Sequence, residues 1–470
     1  MFSAFSALSV RGRGAARLAA VTFVSGLLAA GATVAVADTA SADEAAQNQR
    51  GATATIGGLK TYGDAVIHDT AGDLRVPAGL FEMSVEGGGT LQTYCVDLYN
   101  PTQKDAKYHE TDWSGTSLGA NKGAGKIRWI LQNSYPQVND LAALAAKAGI
   151  ASGLTEQDAA AGTQVAIWRY SDHADVDAVD PQAEKLADYL EKSARDVVEP
   201  AASLTLDPPA ASGHPGELLG PVTVHTNAAG ATVTPPADAA TSGVRIVGKD
   251  GRPVTSASNG SELYFDVPED AAAGSADLTV QASTTVPVGR AFASESRSQT
   301  QILAGSSEST VAAAASATWA KEGAVPALSA ARNCTEGGLD ITAVNQGDEE
   351  FGFELMGTEY AIAAGETRTV TVALQEDQAY DFTITGPDGL AKRFTGVFDC
   401  RTRSSETGAS TQTLSEPSPA TVAVPTTDVN LAETGGSATT PLIAGTAIAL
   451  VVIGGAALVL TGRKQNRAQD

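Results

Sequence analysis

Both ends of this 470-residue chain carry apolar runs, and together they decide where the rest must fold. Residues 441–461 hold no charged side chain over about twenty positions, the length an α-helix needs to cross a bilayer. Arg463, Lys464 and Arg467 follow, and such basic residues hold the end of a span on the cytoplasmic side. At the other end Arg11, Arg13 and Arg17 precede an apolar run over 18–37. That run closes on Ala35-Val36-Ala37, the small-x-small pattern of a secretory cleavage site, with Ala40-Ser41-Ala42 as a second. Residues 1–37 are therefore expected to be a signal peptide. The chain between the two runs is expected to fold outside the membrane, where thiols oxidise.

Length sets the domain count, since about 100–200 residues per domain gives two to four. A net charge of −23 opposes the phosphate neutralisation that nucleic-acid binding requires, so no nucleic-acid partner is expected. With 48 Gly, 20 Pro and only 5% aromatics, the composition favours strands and turns over large helical cores.

The pattern of apolar residues divides the chain. Over 50–200 it mixes strand and helix signals. Residues 52–56, 80–85 and 90–98 read as strands, with Gly87-Gly88-Gly89 turning between the last two. Helix faces follow at Ile127, Ile130 and Leu131, stopping before Pro136, and at Leu141, Leu144, Ala145 and Ala148, ending at Gly149. Thr155 with Glu156 and Asp158 starts a third helix; Asp180-Pro181 starts a fourth, with Leu186, Leu190 and Val197 expected on its buried side. From 201 to 320 short β-rich runs alternate with turn residues, Asp250-Gly251 among them, which predicts a β-sandwich. A smaller all-β unit is expected over 331–401. Residues 402–430, rich in Ser, Thr, Pro and Glu, cannot bury enough apolar surface to order themselves and read as a flexible stalk.

The chain has three cysteines. Cys334 and Cys400 bracket the small β unit, and in an exported protein the economical reading is a disulfide joining its first and last strands. Cys95 is then left over. It is an intermolecular bridge, an inert buried thiol that packs as a small hydrophobe, or a side chain already joined to another group. A glutamine amide can supply that group by acylating the sulfur and losing ammonia.

Two resemblances bear on this choice. Leu431-Ala432-Glu433-Thr434-Gly435, followed by the apolar run and basic tail, resembles the cell-wall sorting signals of Gram-positive bacteria. That implies a sorting signal over 431–470, cleavage by a sortase between Thr434 and Gly435, and attachment to peptidoglycan. Tyr94-Cys95-Val96-Asp97 and Thr163-Gln164-Val165-Ala166-Ile167-Trp168 resemble the cysteine and glutamine motifs of the thioester domains of Gram-positive surface adhesins. Ile130-Leu131-Gln132-Asn133-Ser134-Tyr135-Pro136 also looks like a family element. The resemblance implies a bond between Cys95 Sγ and the Gln164 side-chain carbonyl, with Tyr94, Asp97, Thr163, Trp168 and Tyr170 as candidate surroundings. It implies reaction with an amine, such as a protein lysine, on a partner surface. That is single-turnover covalent binding, not catalysis.

The expected architecture is an α+β thioester domain, two immunoglobulin-like β-sandwich domains, a flexible stalk and a C-terminal transmembrane sorting helix. The alternative is a stalk protein that binds a glycan or protein noncovalently through its β modules. A surface hydrolase is a third reading, with Cys95 as nucleophile and His109 or His173 as base. No cofactor or metal is expected: the five histidines lack zinc-ligand spacing, and Asp172, Asp175, Asp177 and Asp180 lack the glycine and glutamate of an EF-hand, reading better as a solvated turn.

Overall fold

The computed structural model describes residues 50–70 and 72–400. The expected signal peptide, stalk and sorting signal, with Thr434 and Gly435, lie outside the described residues. Among those described, no helix is long and apolar enough to cross a membrane.

Seven strands build the first sheet: β1 (Thr53–Asp69), β2 (Gly72–Val85), β3 (Thr90–Cys95), β4 (Lys107–Thr111), β5 (Val176–Ala178), β6 (Ala291–Ser294) and β7 (Gln301–Ser306). The order is β2-β3-β7-β6-β4-β1-β5, and β1 also pairs with β2. Six antiparallel strands therefore close a ring, with β5 hanging from β1. Closure removes the unpaired strand edges that an open sheet would present. The β2–β3 turn holds Gly87, Gly88 and Gly89 at φ 82°, 117° and 106°, a region open to glycine and strained for other residues.

Four helices form beside the ring, the last two where their caps predict. Helix α1 (Ala124–Asn133) buries Ile127, Ile130 and Leu131, and α2 (Leu141–Lys147) buries Leu144 and Ala145. Helix α3 (Glu156–Ser171) starts at a reciprocal capping box between Thr155 and Asp158 and is buried from Ala159 through Trp168. Helix α4 (Pro181–Ser193) is capped by Asp180 and ends before Val197, which is half-buried beyond it. Its close crossing of α3 depends on Gly162, where a Cβ would lie 2.4 Å from the Ala183 carbonyl oxygen.

The sheet pairings redraw the boundary expected at residue 200. Strands β6 and β7 fall within the expected 201–320 sandwich, yet their hydrogen-bond partners are β3 and β4. The chain leaves the ring after α4, lays down most of two other sheets, returns to complete the ring, and then adds Glu308–Trp319 to one of those sheets. One of those sheets runs Arg50–Gly51, Glu308–Trp319, Gly274–Thr285, Ala231–Thr234 and Ser256–Ala257, with Ala210–Gly213 parallel to the 308–319 strand. The other runs Arg245–Val247, Glu262–Asp266, Leu218–Thr226 and Leu204–Asp207. Strict alternation of burial along Glu308–Trp319 puts Val311, Ala313, Ala315, Ala317 and Trp319 inward.

A buried pair ties the exit of the chain to its return. Glu110 on β4 accepts from the Ala52 and Ser203 backbone N–H groups, the Ser203 hydroxyl and Arg290 Nε; Arg290 also meets Asp112, Glu199 and the Pro200 carbonyl.

The last unit begins with the strand Pro326–Asn333, a few residues before the expected start, and has its own core including Leu328, Ile341, Phe351, Ile384, Phe394 and Phe398. The Cys334–Cys400 disulfide, with Cα atoms 5.2 Å apart, joins the ends of its first and last strands, Pro326–Asn333 and Ala391–Phe398. The expected pairing is the one formed.

Candidate functional site

Cys95 ends β3, buried, and is the free cysteine of the described residues. Opposite it in register stands Gln301, the first residue of β7. Gln299, two residues earlier, also reaches the sulfur. The groups that meet Cys95 thus come from three stretches far apart in sequence: the β3 end, helix α3 and the approach to β7.

Gln164 and Gln299 make different contacts. Gln164 is fully buried on α3, and both ends of its carboxamide are taken by the Cys95 main chain. Cys95 N–H donates to Oε1 at 3.0 Å, and Nε2 donates to the Cys95 carbonyl at 2.9 Å. Gln164 therefore fixes the backbone of Cys95, like the next strand of a sheet. The Cys95 thiol instead donates to Gln299 Oε1. The structure thus brings both glutamines to Cys95, Gln164 on its main chain and Gln299 on its thiol.

Every polar atom of the Gln299 amide is engaged. Thr102 Oγ1 donates to Oε1 at 2.7 Å and Gln301 Nε2 donates to it at 3.2 Å. The Gln299 Nε2 group donates to the Asp97 and Asn100 carbonyls at 3.1 and 2.6 Å. Gln301 is oriented by Thr93 Oγ1, which donates to its Oε1 at 2.9 Å, and its Nε2 also lies 3.5 Å from Cys95 Sγ. Burial raises the thiol pKa well above the ordinary range, and the Gln301 hydrogen bond works against that rise.

A cavity of about 90 Å³ reaches this cluster from the surface. Cys95, Gln164, Gln299, Thr102 and Trp168 line it, with Phe81 and Leu59 among its apolar walls. Trp168 is 4% exposed, and its indole N–H has no hydrogen-bond partner among the described residues. No histidine lines the cavity: His109 bonds Thr53 and Glu295.

The other expected surroundings divide. Trp168 forms a wall, and Asp97 contributes its main-chain carbonyl. Tyr94 and Tyr170 do not line the cavity. The pleat sends Tyr94 to the opposite face from Cys95, where its hydroxyl donates to the Tyr135 carbonyl at 2.9 Å, while Tyr170 donates to Glu191 O. Thr163 donates to Ala159 O and bonds Ser134 Oγ at 2.9 Å, away from the sulfur. Ser134 and Tyr135 thus give the 130–136 segment a role: it braces the Cys95 strand and the Gln164 helix at once.

Asp172 departs from the solvated-turn reading. It accepts from the Leu98 N–H at 2.9 Å, and burial pushes its carboxyl up to about 6. No metal-binding group of three or more His, Cys, Asp or Glu forms among the described residues.

Residues 92–196 match the family model described as the thioester domain. This thioester-domain segment contains Cys95 and Gln164 and stops more than a hundred residues before Gln299. Residues 312–397 match the model described as bacterial phospholipase C, C-terminal domain. No curated protein matches the chain. Among solved structures, the Bacillus anthracis TIE protein is 16% identical, covering 74% of this chain and 64% of its own, at a TM-score of 0.26. The thioester domain of the Enterococcus faecium TIE86 protein is 15% identical over 57% of this chain and 97% of its own, at 0.27. The E. coli chaperone DraB is 12% identical over 42% and 98%, at 0.16. The chain spans just under two thirds of the B. anthracis protein, and overlays at these scores leave the argument to the geometry above.

Proposed function

We propose that this chain is a bacterial surface protein that binds covalently through an internal thioester between Cys95 Sγ and the side-chain carbonyl of Gln299. The observation that carries the reading is the buried Cys95 thiol set against the Gln299 amide, whose oxygen and nitrogen are already held from both sides. Attack of sulfur on the amide carbon forms the S–C bond and breaks the C–N bond. The thiol proton leaves with the nitrogen as ammonia.

The product stores an acyl group on a good leaving group. A primary amine entering the cavity forms a C–N bond to Gln299 and returns its proton to sulfur, which leaves an isopeptide bond to the partner and a free thiol. The apolar walls around Cys95 restrict water and suit the aliphatic stem of a lysine. Export and anchoring to peptidoglycan through Thr434 by a sortase complete the reading and rest on the sequence motifs alone.

The test is the intact mass of the secreted, reduced protein. Thioester formation predicts a deficit of about 17 Da, the mass of ammonia, that Cys95→Ala and Gln299→Ala each abolish. A full calculated mass at neutral pH in non-nucleophilic buffer rejects the covalent reading in favour of noncovalent binding. A hydrolase would turn over substrate instead, and the cavity offers no histidine base beside Cys95.

A further inference from the structure

We infer that Thr102 and Gln301 form an oxyanion hole that serves both the making and the breaking of the proposed thioester, with Thr93 as the positioning residue for Gln301. The inference rests on the Cys95–Gln299 reading above and concerns how that bond reacts.

Both reactions pass through a tetrahedral carbon at the Gln299 carbonyl, and in both the negative charge gathers on Oε1. Besides the reacting thiol, two donors already converge on that atom: the Thr102 hydroxyl at 2.7 Å and the Gln301 carboxamide at 3.2 Å. Thr102 comes from the loop after β3 and Gln301 from β7, the strand paired with β3, with Gln301 in register with Cys95. All three residues are buried, Thr93 and Gln301 completely and Thr102 to 8% exposure. Donors held in a water-poor site need no rearrangement when charge appears, which is why such groups act on the transition state more than on the ground state.

Gln301 has a second duty. Its Nε2 lies 3.5 Å from Cys95 Sγ, so the same carboxamide faces the sulfur that must depart as negative charge when an amine displaces it. In bond formation sulfur attacks, the Gln299 C–N bond breaks and ammonia carries away the thiol proton. In aminolysis the amine attacks, the C–S bond breaks and the amine proton passes to sulfur. Neither direction needs an oxidant or another co-reactant. The Gln301 amide can assist only if its nitrogen, not its oxygen, points at the reacting atoms. Thr93 secures this by donating to Gln301 Oε1 at 2.9 Å, which turns the NH₂ end inward.

The experiment uses the full secreted chain and methylamine as the probe. The rate of thiol release under excess methylamine is followed for wild type, Thr102→Val, Gln301→Glu, Thr93→Val and Thr93→Ser, and intact mass records how much of each starts as the ammonia-deficient species. Thr102→Val is nearly isosteric, and Gln301→Glu keeps the shape while replacing a donor with an acceptor.

Loss of one donor predicts thiol release slowed about 10²-fold or more, and a mass deficit that matures more slowly. Thr93→Val is predicted to follow Gln301→Glu, while Thr93→Ser, which keeps the hydroxyl, restores most of the rate; a residue that only filled space would show no such rescue. Should a variant misfold, the remaining variants decide the matter. Wild type with its deficit and Thr102→Val and Gln301→Glu releasing thiol within threefold of its rate overturns the oxyanion hole alone. Wild type without the deficit overturns the parent reading and this one with it.

Discussion

Replacing Glu110 with alanine tests the return of the chain into the ring. Its side chain is fully buried, that of Arg290 is 3% exposed, and the two meet at 2.9 Å. Removing the carboxylate orphans the backbone N–H groups of Ala52 and Ser203 and takes the best-buried partner from Arg290. Breaking a buried pair by removing one member costs about 3–5 kcal/mol. Each orphaned N–H carries its own penalty of roughly 1–3 kcal/mol, and these overlap because they share one cavity that water can enter. Asp112 and Glu199 stay with the guanidinium, which holds the sum near the pair value. The expected loss for Glu110→Ala is therefore about 3–5 kcal/mol, read as a lower urea midpoint followed by tryptophan fluorescence. Glu110→Ala with Arg290→Met is expected to recover part of it, since the buried guanidinium goes with its carboxylate while Glu199, 32% exposed, keeps the Trp113 N–H. A loss under about 1 kcal/mol, or a double variant no better than the single, refutes the clamp.

Three further outcomes are expected. Asp172, with a folded pKa raised to about 6, is favoured in its neutral form by folding, so its contribution is complete below pH 4 and is lost as pH rises through about 6. Asp172→Asn keeps an acceptor for Leu98 N–H and should raise stability above pH 7 by about 2–3 kcal/mol while flattening the pH 4–6 slope; Asp399, raised to about 6 mainly by burial, titrates in the same window, so the Asp399→Asn background isolates the effect. No gain in urea midpoint at pH 7.5 contradicts this.

Cys334→Ser with Cys400→Ser opens a 66-residue loop and should destabilise the last unit by about 4 kcal/mol, seen as proteolysis confined to residues 326–400. Unchanged protease resistance would show that the core there suffices without the bridge. Finally, a fragment of residues 50–200 lacks β6, β7 and Gln299 and should give neither cooperative unfolding nor a mass deficit; a folded, ammonia-deficient fragment contradicts the closed ring.

Local signals in the sequence carried the local structure. The Thr155 and Asp180 caps, the Gly87-Gly88-Gly89 turn and the Ile127–Ile130–Leu131 face each report a short-range preference, and each formed where expected. The two distant cysteines of the last unit were also legible, because a staple is the simplest use of such a pair in an exported chain.

The residue that meets the Cys95 thiol was hidden by topology. Gln164 stands in a conspicuous motif, and its carboxamide holds the Cys95 main chain through both ends. Gln299 lies 204 residues from Cys95 and beyond a run of strands that read as a separate sandwich. One signal was present. Gln299 and Gln301 alternate on one face just before the apolar Ile302, Leu303 and Ala304, and two fully or nearly buried glutamines at the head of a core strand need partners. Pairing across the ring supplies them, and no periodicity within the strand could name Cys95 as the other side.

The measurement that tests the central claim is the site of methylamine incorporation. The secreted protein is treated with isotopically labelled methylamine, its exposed thiol is capped, and peptides are sequenced by mass spectrometry. The label is predicted on Gln299, with one cap on Cys95 and none on Gln164. Label on Gln164 contradicts the assignment drawn from the geometry, and label on neither glutamine contradicts the thioester.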